Sequence, residues 1–205
     1  MGKTAAPKAG WNYNPRIKDY KPDLKKYNSI IAGDLRLNFN MVELNLPLIQ
    51  GKHTIEDDLI AVNPDFLLIS GTDTNCYSVV YAYEARRHGL DVIAIPGETI
   101  PGKDVLSGFQ NLKFAGYTKE KIEKEMKKFG DGARMEILVD WGNNKSHVFI
   151  AEQIDGETHF IDPQLQDMKC SYYFDMAKNI FATRINNALF SDKLKNFVQI
   201  KKGSY

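Results

Sequence analysis

Residues 146–164 read SHVFIAEQIDGETHFIDPQ, and this stretch decides the fold. Two runs in which apolar and polar residues alternate, 146–154 and 157–164, flank the dipeptide Asp155-Gly156. Alternation with period two is typical of half-buried strands, and Asp-Gly strongly favours a two-residue turn between antiparallel strands. The stretch therefore predicts a β-hairpin with a defined register.

That register brings three polar side chains together. The turn sets Ile154 opposite Glu157. Counted outward from that pair, His147 faces Gln164 and lies diagonal to Asp162. Residues that are opposite in register share a face of the sheet, and diagonal neighbours are within reach of long side chains. The sequence therefore predicts His147, Asp162 and Gln164 on one face, with the carboxylate placed to orient the imidazole.

The rest of the chain mixes helical and strand patterns. The predicted elements are short buried segments at 45–51 and 64–71, a helix at 75–88, a strand at 90–95, an irregular loop at 96–117, a helix at 119–129, a strand at 133–141 and a helix at about 171–182. Together with the hairpin, they predict an α+β fold with an antiparallel sheet. We expect residues 29–205 to form one domain.

Length and composition fit a single globular domain. The chain has 205 residues, 43% of them hydrophobic, and a formal net charge of +1. So small a net charge argues against a general nucleic-acid binder, and no apolar run reaches the roughly 18 residues of a membrane span. The N-terminal MGKTAAPKAG also lacks the apolar core of a Sec signal peptide.

Residues 1–28 differ from the rest of the chain in charge. They carry seven basic and two acidic side chains, whereas the remainder carries 20 basic and 24 acidic ones. They are rich in Lys, Asn, Pro and Tyr and show neither a helical nor a strand period. We interpret them as a basic extended arm or linker, with a disordered tail as the alternative.

The sequence offers poor material for a metal site or a nucleotide cofactor. It has two cysteines and four histidines, without a CxxC or HExxH motif. It also lacks glycine-rich loops of the GxGxxG and GxxxxGK[ST] types. We therefore expect no metal and no cofactor. Nucleophilic chemistry by a side chain remains as the kind of catalysis that the sequence could support.

Cys76 is the candidate nucleophile. It falls in the first turn of the predicted helix at 75–88, where the partial positive charge of the helix N-terminus stabilises a thiolate. A thiolate is the reactive form of cysteine, and His147 held by Asp162 is a suitable base for it. Position alone is also compatible with a small buried residue that begins a helix. The remaining histidines and Cys170 are interpreted as structural or surface residues.

Three stretches resemble the papain-fold toxin family, whose characterised relatives include glutamine deamidases. They are TNCYSVVYAYEARRHGLDVIA (74–94), GDGARMEILVDWGNNKSHVFIAEQIDGETHFIDPQ (130–164) and FATRINN (181–187). In that family a cysteine at a helix start, a histidine opening a strand and the aspartate of an Asp-Pro-Gln end form a triad. The resemblance assigns these roles to Cys76, His147 and Asp162. It implies a papain-like fold in which an N-terminal helix bearing the cysteine packs on a small antiparallel sheet bearing the other two.

The resemblance also implies acyl transfer on a glutamine carboxamide. Cys76 would attack the side-chain amide of a target protein. Asn75 would be an oxyanion or substrate-binding residue, and Gln164 would support the triad or the substrate amide. The family commonly has Gly before its histidine, where this chain has Ser146. The same thioester chemistry serves papain-like cysteine proteases and transglutaminases, and the sequence separates these alternatives poorly.

A second resemblance concerns the arm. The segment AGWNYNPRIKDYKPDLKKY (9–27) resembles a stretch of Mu-type phage head-morphogenesis proteins, some of which carry C-terminal toxin domains. It implies a bacterial or phage-encoded toxin that is delivered without a Sec signal and acts in the cytoplasm of a target cell. The implied partners are a target protein with a reactive glutamine, a cognate immunity protein and a phage head or secretion carrier, with no membrane or nucleic-acid partner. A non-enzymatic phage-head-associated module is the alternative from another class.

Overall fold

An antiparallel sheet built around the hairpin forms the centre of the molecule. The computed structural model describes residue 40 and residues 43–97 and 105–201. The strands of this sheet, from one edge to the other, are β2 (Ala115–Gly116), β6 (Asn179–Arg184), β3 (Arg134–Gly142), β4 (Lys145–Ile154) and β5 (Glu157–Ile161). A second, two-stranded sheet pairs β1 (Ile93–Ala94) with β7 (Val198–Gln199). The predicted α+β class is confirmed.

Helices cover both faces of the larger sheet. They are α1 (Ile55–Val62), α2 (Cys76–Arg87) and α3 (Lys119–Phe129), accompanied by 3-10 turns at Cys170–Met176 and Asp192–Asn196. One hydrophobic core joins α1 and α2 to Val148 and Ile150 of β4. The other joins α3 and the turn at Cys170–Met176 to Phe149 and Ala151 of the same strand. Strand β4 therefore contributes alternate side chains to two cores, as period two requires.

Helix α2 lies in the interior of the molecule. Every residue of it is buried, including its charged residues Glu84, Arg86 and Arg87. The buried ion pairs around it are Arg86–Asp58, Arg87–Asp58, Arg87–Glu152 and Arg134–Glu84. These pairs join α2 to α1, β3 and β4. Because a buried charge is tolerated only when it is matched, the ion pairs allow a helix with polar residues to sit inside the core.

The hairpin forms with the predicted register. Its pairs run from Ile154↔Glu157 to Ile150↔Ile161. Asp155 and Gly156 have φ of 50° and 83°, the left-handed pair that a tight turn of this kind needs. The helices predicted at 75–88 and 119–129 and the strand predicted at 133–141 are confirmed within a residue or two.

The helix predicted at about 171–182 is wrong. The chain instead makes the 3-10 turn Cys170–Met176 and then the strand β6, which pairs with β3 along six residues. Ala177 is extended, with ψ of 127°, and ends the turn. Strand β3 has a free side opposite β4, and pairing of its backbone groups with β6 outweighs the local preference for a helix.

The strand predicted at 157–164 ends early, at Ile161. Asp162 no longer pairs with β4 and instead bridges Asp167. Pro163 has no backbone N–H to give to a ladder, so the chain turns at this point. His147 and Gln164 are therefore not a ladder pair, although both remain at the same end of the hairpin.

The segment 64–71, predicted to be buried, is largely exposed. Leu67 and Leu68 are 71% and 81% exposed. The Thr72 hydroxyl accepts a hydrogen bond from the Leu67 N–H at 3.0 Å and donates one to the Ile69 carbonyl at 2.8 Å. These bonds hold a turn whose apolar side chains point away from the protein, a geometry that composition does not reveal.

Two further expectations are corrected near the smaller sheet. Of the strand predicted at 90–95, only Ile93–Ala94 joins a sheet. Leu90 forms an isolated bridge with Leu48, which lies in the segment 45–51 and is 57% exposed rather than buried. Strands β1 and β7 are both short, since they pair with each other along only two residues.

Two predicted regions lie outside the described residues. They are the arm at 1–28 and residues 98–104 of the predicted loop at 96–117. Within 43–97 and 105–201, no helix combines the length and apolar character needed to cross a bilayer.

Candidate active site

The candidate triad begins with an imidazole and a carboxylate at one end of the hairpin. His147 Nε2 lies 2.9 Å from Asp162 Oδ2. The His147 side chain is 12% exposed and that of Asp162 is fully buried. The predicted proximity of these two side chains thus holds, although the turn after Ile161, rather than a continued ladder, brings the carboxylate to the ring.

Asp162 is held by hydrogen bonds on both carboxylate oxygens. Its Oδ1 accepts from the backbone N–H of Gln164 at 3.0 Å and of Leu165 at 3.4 Å. Its Oδ2 accepts from the Tyr173 hydroxyl at 2.7 Å and faces His147. These hydrogen bonds hold the Asp162 carboxylate in one orientation beside the imidazole.

Cys76 is the third residue of the candidate triad and lies next to the His147 ring. It is the first residue of α2, is 8% exposed and lies close enough to the His147 ring to help raise its pKa. Because Nε2 of the ring faces Asp162, Nδ1 is the nitrogen left for the thiol. The three residues therefore form an array in the order thiol, imidazole and carboxylate, in which the imidazole–carboxylate contact is a hydrogen bond.

The surroundings of His147 favour the imidazolium. Burial alone would lower the pKa of the ring, and it is the largest single influence. The negative charge and hydrogen bond of Asp162, together with the interactions with Cys76, outweigh burial and raise the pKa of His147 to about 10. The ring can therefore carry a proton beside the sulfur at neutral pH, as a thiolate–imidazolium pair requires.

Asn75 and Gln164 tie the start of α2 to the end of the hairpin. Gln164 Nε2 donates to Asn75 Oδ1 at 3.1 Å and to the Thr72 carbonyl at 3.4 Å. Asn75 Nδ2 in turn donates to the Ile95 carbonyl at 3.2 Å and to Asn63 Oδ1 at 3.4 Å. Both amides are thus engaged by protein groups and fix the position of the helix relative to the hairpin.

Two aromatic residues of the site were not identified from the sequence. The Trp141 ring lies nearly parallel to His147, with centroids 6.4 Å apart and an interplanar angle of 14°. The Tyr173 ring meets His147 edge-on, with centroids 5.1 Å apart. Val139 pairs with His147, and Trp141 lies two residues after Val139 on the same strand. Side chains two residues apart share a face, so the register of β3 and β4 could have placed Trp141 near His147. Tyr173 lies in the turn that was predicted as a helix, and no sequence signal marks it.

The other histidine and cysteine candidates lie in structural surroundings. His53 pairs with Asp58 at 3.4 Å, and His88 pairs with Glu84 at 2.8 Å. Cys170 is fully buried, and burial raises the pKa of its thiol well above the usual value. Among the residues that the structure describes, no group of three or more His, Cys, Asp and Glu side chains is arranged to hold a metal ion.

No protein-family model matches the chain, and no curated protein matches it.

Proposed function

We propose that this chain is a papain-like cysteine amidohydrolase that deamidates glutamine side chains of a target protein. The observation that carries the proposal is the array in which His147 Nε2 lies 2.9 Å from Asp162 Oδ2 and Cys76, at the start of α2, lies beside the His147 ring. A nucleophile, a base within hydrogen-bond reach and a third group that orients the base are the parts that covalent acyl transfer requires.

In the first half of the reaction, the Cys76 thiolate attacks the carboxamide carbon of the substrate. The carbon–nitrogen bond breaks, His147 gives its proton to the departing nitrogen, and ammonia leaves behind a thioester. In the second half, His147 takes a proton from water as the water attacks the thioester. The carbon–sulfur bond then breaks, the glutamate product leaves, and the Cys76 thiolate and the His147 imidazolium are restored. Asp162 orients the ring and stabilises its charge in both halves.

The first turn of α2 is suited to stabilise the oxyanion. The hydrogen bonds of the helix begin with the Val79 N–H, which donates to the Asn75 carbonyl at 3.0 Å. The Asn75 side chain makes no hydrogen bond that caps the helix. The N–H of Cys76 is thus available to the tetrahedral intermediate, reinforced by the helix dipole. Asn75 supports this turn through its bonds rather than through its own amide protons.

The limited exposure of the site favours a slender substrate group. Cys76 is 8% exposed and the His147 side chain 12%. A glutamine side chain can enter such a site end-on, as deamidation requires.

The biological setting proposed here follows the sequence resemblances. The chain would be a bacterial or phage-encoded toxin acting in the cytoplasm of a target cell, with a cognate immunity protein and a phage head or secretion system as carrier. The resemblance of residues 9–27 to phage head-morphogenesis proteins supports this setting.

Expression in a sensitive bacterium tests the proposal. Wild type should arrest growth and produce proteins whose glutamines gain about one dalton, whereas Cys76→Ala should do neither, because loss of the nucleophile typically costs several orders of magnitude in rate. Cys170→Ala is the matched control, a buried cysteine that is not a member of the proposed triad, and should retain the activity. Target fragments would instead indicate a protease, and an added amine mass a transglutaminase. Toxicity that persists in Cys76→Ala would reject an enzymatic mechanism through this residue.

A further inference from the structure

Tyr173 occupies a place in the site that the triad mechanism does not account for. It is 1% exposed and lies in the 3-10 turn Cys170–Met176, which packs on β3 and β5. Its hydroxyl donates to Asp162 Oδ2 at 2.7 Å, the same oxygen that faces His147 Nε2 at 2.9 Å. One carboxylate oxygen is therefore shared between the phenol and the imidazole.

The remaining contacts of Tyr173 also converge on His147. Its ring meets the imidazole edge-on at a centroid distance of 5.1 Å, with an interplanar angle of 70°. Its backbone carbonyl accepts a hydrogen bond from Trp141 Nε1 at 3.0 Å, and the Trp141 ring lies nearly parallel to the imidazole at a centroid distance of 6.4 Å. Tyr173 thus touches the imidazole directly and fixes the second ring that flanks it.

We propose that Tyr173 is a positioning residue that fixes the Asp162–His147 hydrogen bond and shields it from water. The backbone bonds from Gln164 and Leu165 hold Oδ1, and the phenol occupies one acceptor direction of Oδ2. The acceptor direction that remains on Oδ2 points at the imidazole, which sets the plane of the ring and leaves Nδ1 aimed at the thiol. Water cannot compete for a position that the phenol already fills.

The inference deepens the proposed function, because a positioned imidazole matters only if His147 acts on Cys76. It is nevertheless testable without a substrate. The readout is the NMR signal of the His147 ring in protein carrying nitrogen-labelled histidine, which reports the hydrogen bond of Nε2–H and the protonation of the ring. A toxin assay that fails while these signals behave as expected would reject the function and leave the positioning role standing.

The decisive variant is Tyr173→Phe, which keeps the ring and removes only the hydroxyl. We expect the Nε2–H proton to exchange with water about tenfold faster or more, since a hydrogen bond to a charged group is lost. Unchanged proton exchange would overturn the proposal.

Tyr172→Phe is the matched control. Tyr172 is the neighbouring residue, is 37% exposed, packs on the Tyr173 ring and bonds Asp167 rather than Asp162. Its removal should leave both His147 signals at their wild-type values, and a change as large as that of Tyr173→Phe would show a general effect of the turn. Wild type supplies a test that needs no folded variant: a nuclear Overhauser contact is expected between the Tyr173 hydroxyl and the His147 Nε2 proton. Its absence would also reject the inference.

Discussion

Two glutamates in the same core show how differently a buried carboxyl can be accommodated. Glu136 on β3 is fully buried, and within the described residues neither of its oxygens has a hydrogen-bond partner. Burial, followed by the nearby charge of Glu84, raises its pKa to about 8. Glu84 is also fully buried, and burial alone would raise its pKa. The charges and hydrogen bonds of Arg134 and His88 instead lower the pKa of Glu84 to about 2.

Replacing Glu136 should therefore stabilise the protein. Its folded pKa of about 8 exceeds the ordinary value of 4.5, so its contribution to stability is lost as pH rises from about 4.5 through 8. Glu136→Met fills a similar volume without a polar group and should gain about 1–3 kcal/mol at neutral pH. The gain should grow between pH 5 and about 8 and then level off. Urea denaturation at several pH values measures it.

Glu84→Met is the matched comparison for this prediction. It removes the closest carboxylate partner of Arg134 and leaves the buried guanidinium only its longer pair with Glu152 at 3.9 Å, which should cost about 3 kcal/mol at neutral pH. Equal effects of the two variants would show that the polar surroundings of the two carboxyls do not differ as described.

The charge on His147 should also contribute to stability in a pH-dependent way. Its pKa is raised from 6.5 to about 10, so the stabilisation is complete below about 6.5 and is lost as pH rises toward 10. Asp162→Asn removes the charge that raises the pKa of His147. The stability difference between wild type and Asp162→Asn should be largest near pH 6 and shrink toward pH 10.

Denaturant titrations at pH 6, 8 and 10 measure this difference. Asp140→Asn is the control, since Asp140 bonds Asn179 and the Gly142 N–H rather than a titrating ring. Its stability difference from wild type should stay constant over the same range. A constant difference for Asp162→Asn as well would contradict the assigned pKa of His147.

At the scale of elements, predictability depended on how local the determining contacts are. The Asp155-Gly156 turn fixes the hairpin register from adjacent residues, and the structure follows it. Strand β6 could not be predicted in this way, because its partner β3 lies far away in sequence and its own short pattern is compatible with a helix. The position of Cys76, His147 and Asp162 followed from local signals, whereas the contact of Tyr173 with Asp162 depends on the mispredicted turn.

The hairpin turn gives a prediction that isolates backbone conformation. Gly156 has φ of 83° and nothing within 4 Å of an added Cβ, so Gly156→Ala should be costly only through strain. We expect a loss of about 1–2 kcal/mol in the free energy of unfolding, without a change in the His147 ring signals.

Gly116 is the matched glycine. An added Cβ there also meets nothing within 4 Å, and its φ lies outside the left-handed region. Gly116→Ala should be neutral or stabilising by up to about 1 kcal/mol. A comparable destabilisation at both sites would mean that strain at Gly156 is not the cause.

At the scale of the whole molecule, the buried ion pairs connect elements that are distant in sequence. Asp58 of α1, Arg134 of β3 and Glu152 of β4 all pair with charged groups of α2. The sequence showed these residues only as polar positions, since pairing across the core cannot be derived from spacing along the chain. The first and last residues of α2 could therefore be predicted from the sequence, whereas its position in the interior of the molecule could not.

The arm gives a prediction at this scale. All residues of the candidate site lie between Asn75 and Tyr173, so a chain beginning at Tyr27 should retain the thermal midpoint and the activity of the full chain. Differential scanning calorimetry and the growth-arrest assay measure these properties. A large drop in the midpoint would show that Trp11 or Tyr13 packs on the domain.

The burial of α2 has a consequence for how deuterium enters the protein. Residues from Val79 onward have hydrogen-bonded amides in a helix that no face exposes to water, so their exchange requires opening of the domain. The amides of the first turn precede that ladder and should exchange far sooner. The backbone amide protons of α2 that exchange slowly and those that exchange quickly are thus separated within the turn that carries Cys76. The proposed nucleophile therefore lies at the end of α2 whose amides are not held by hydrogen bonds of the helix.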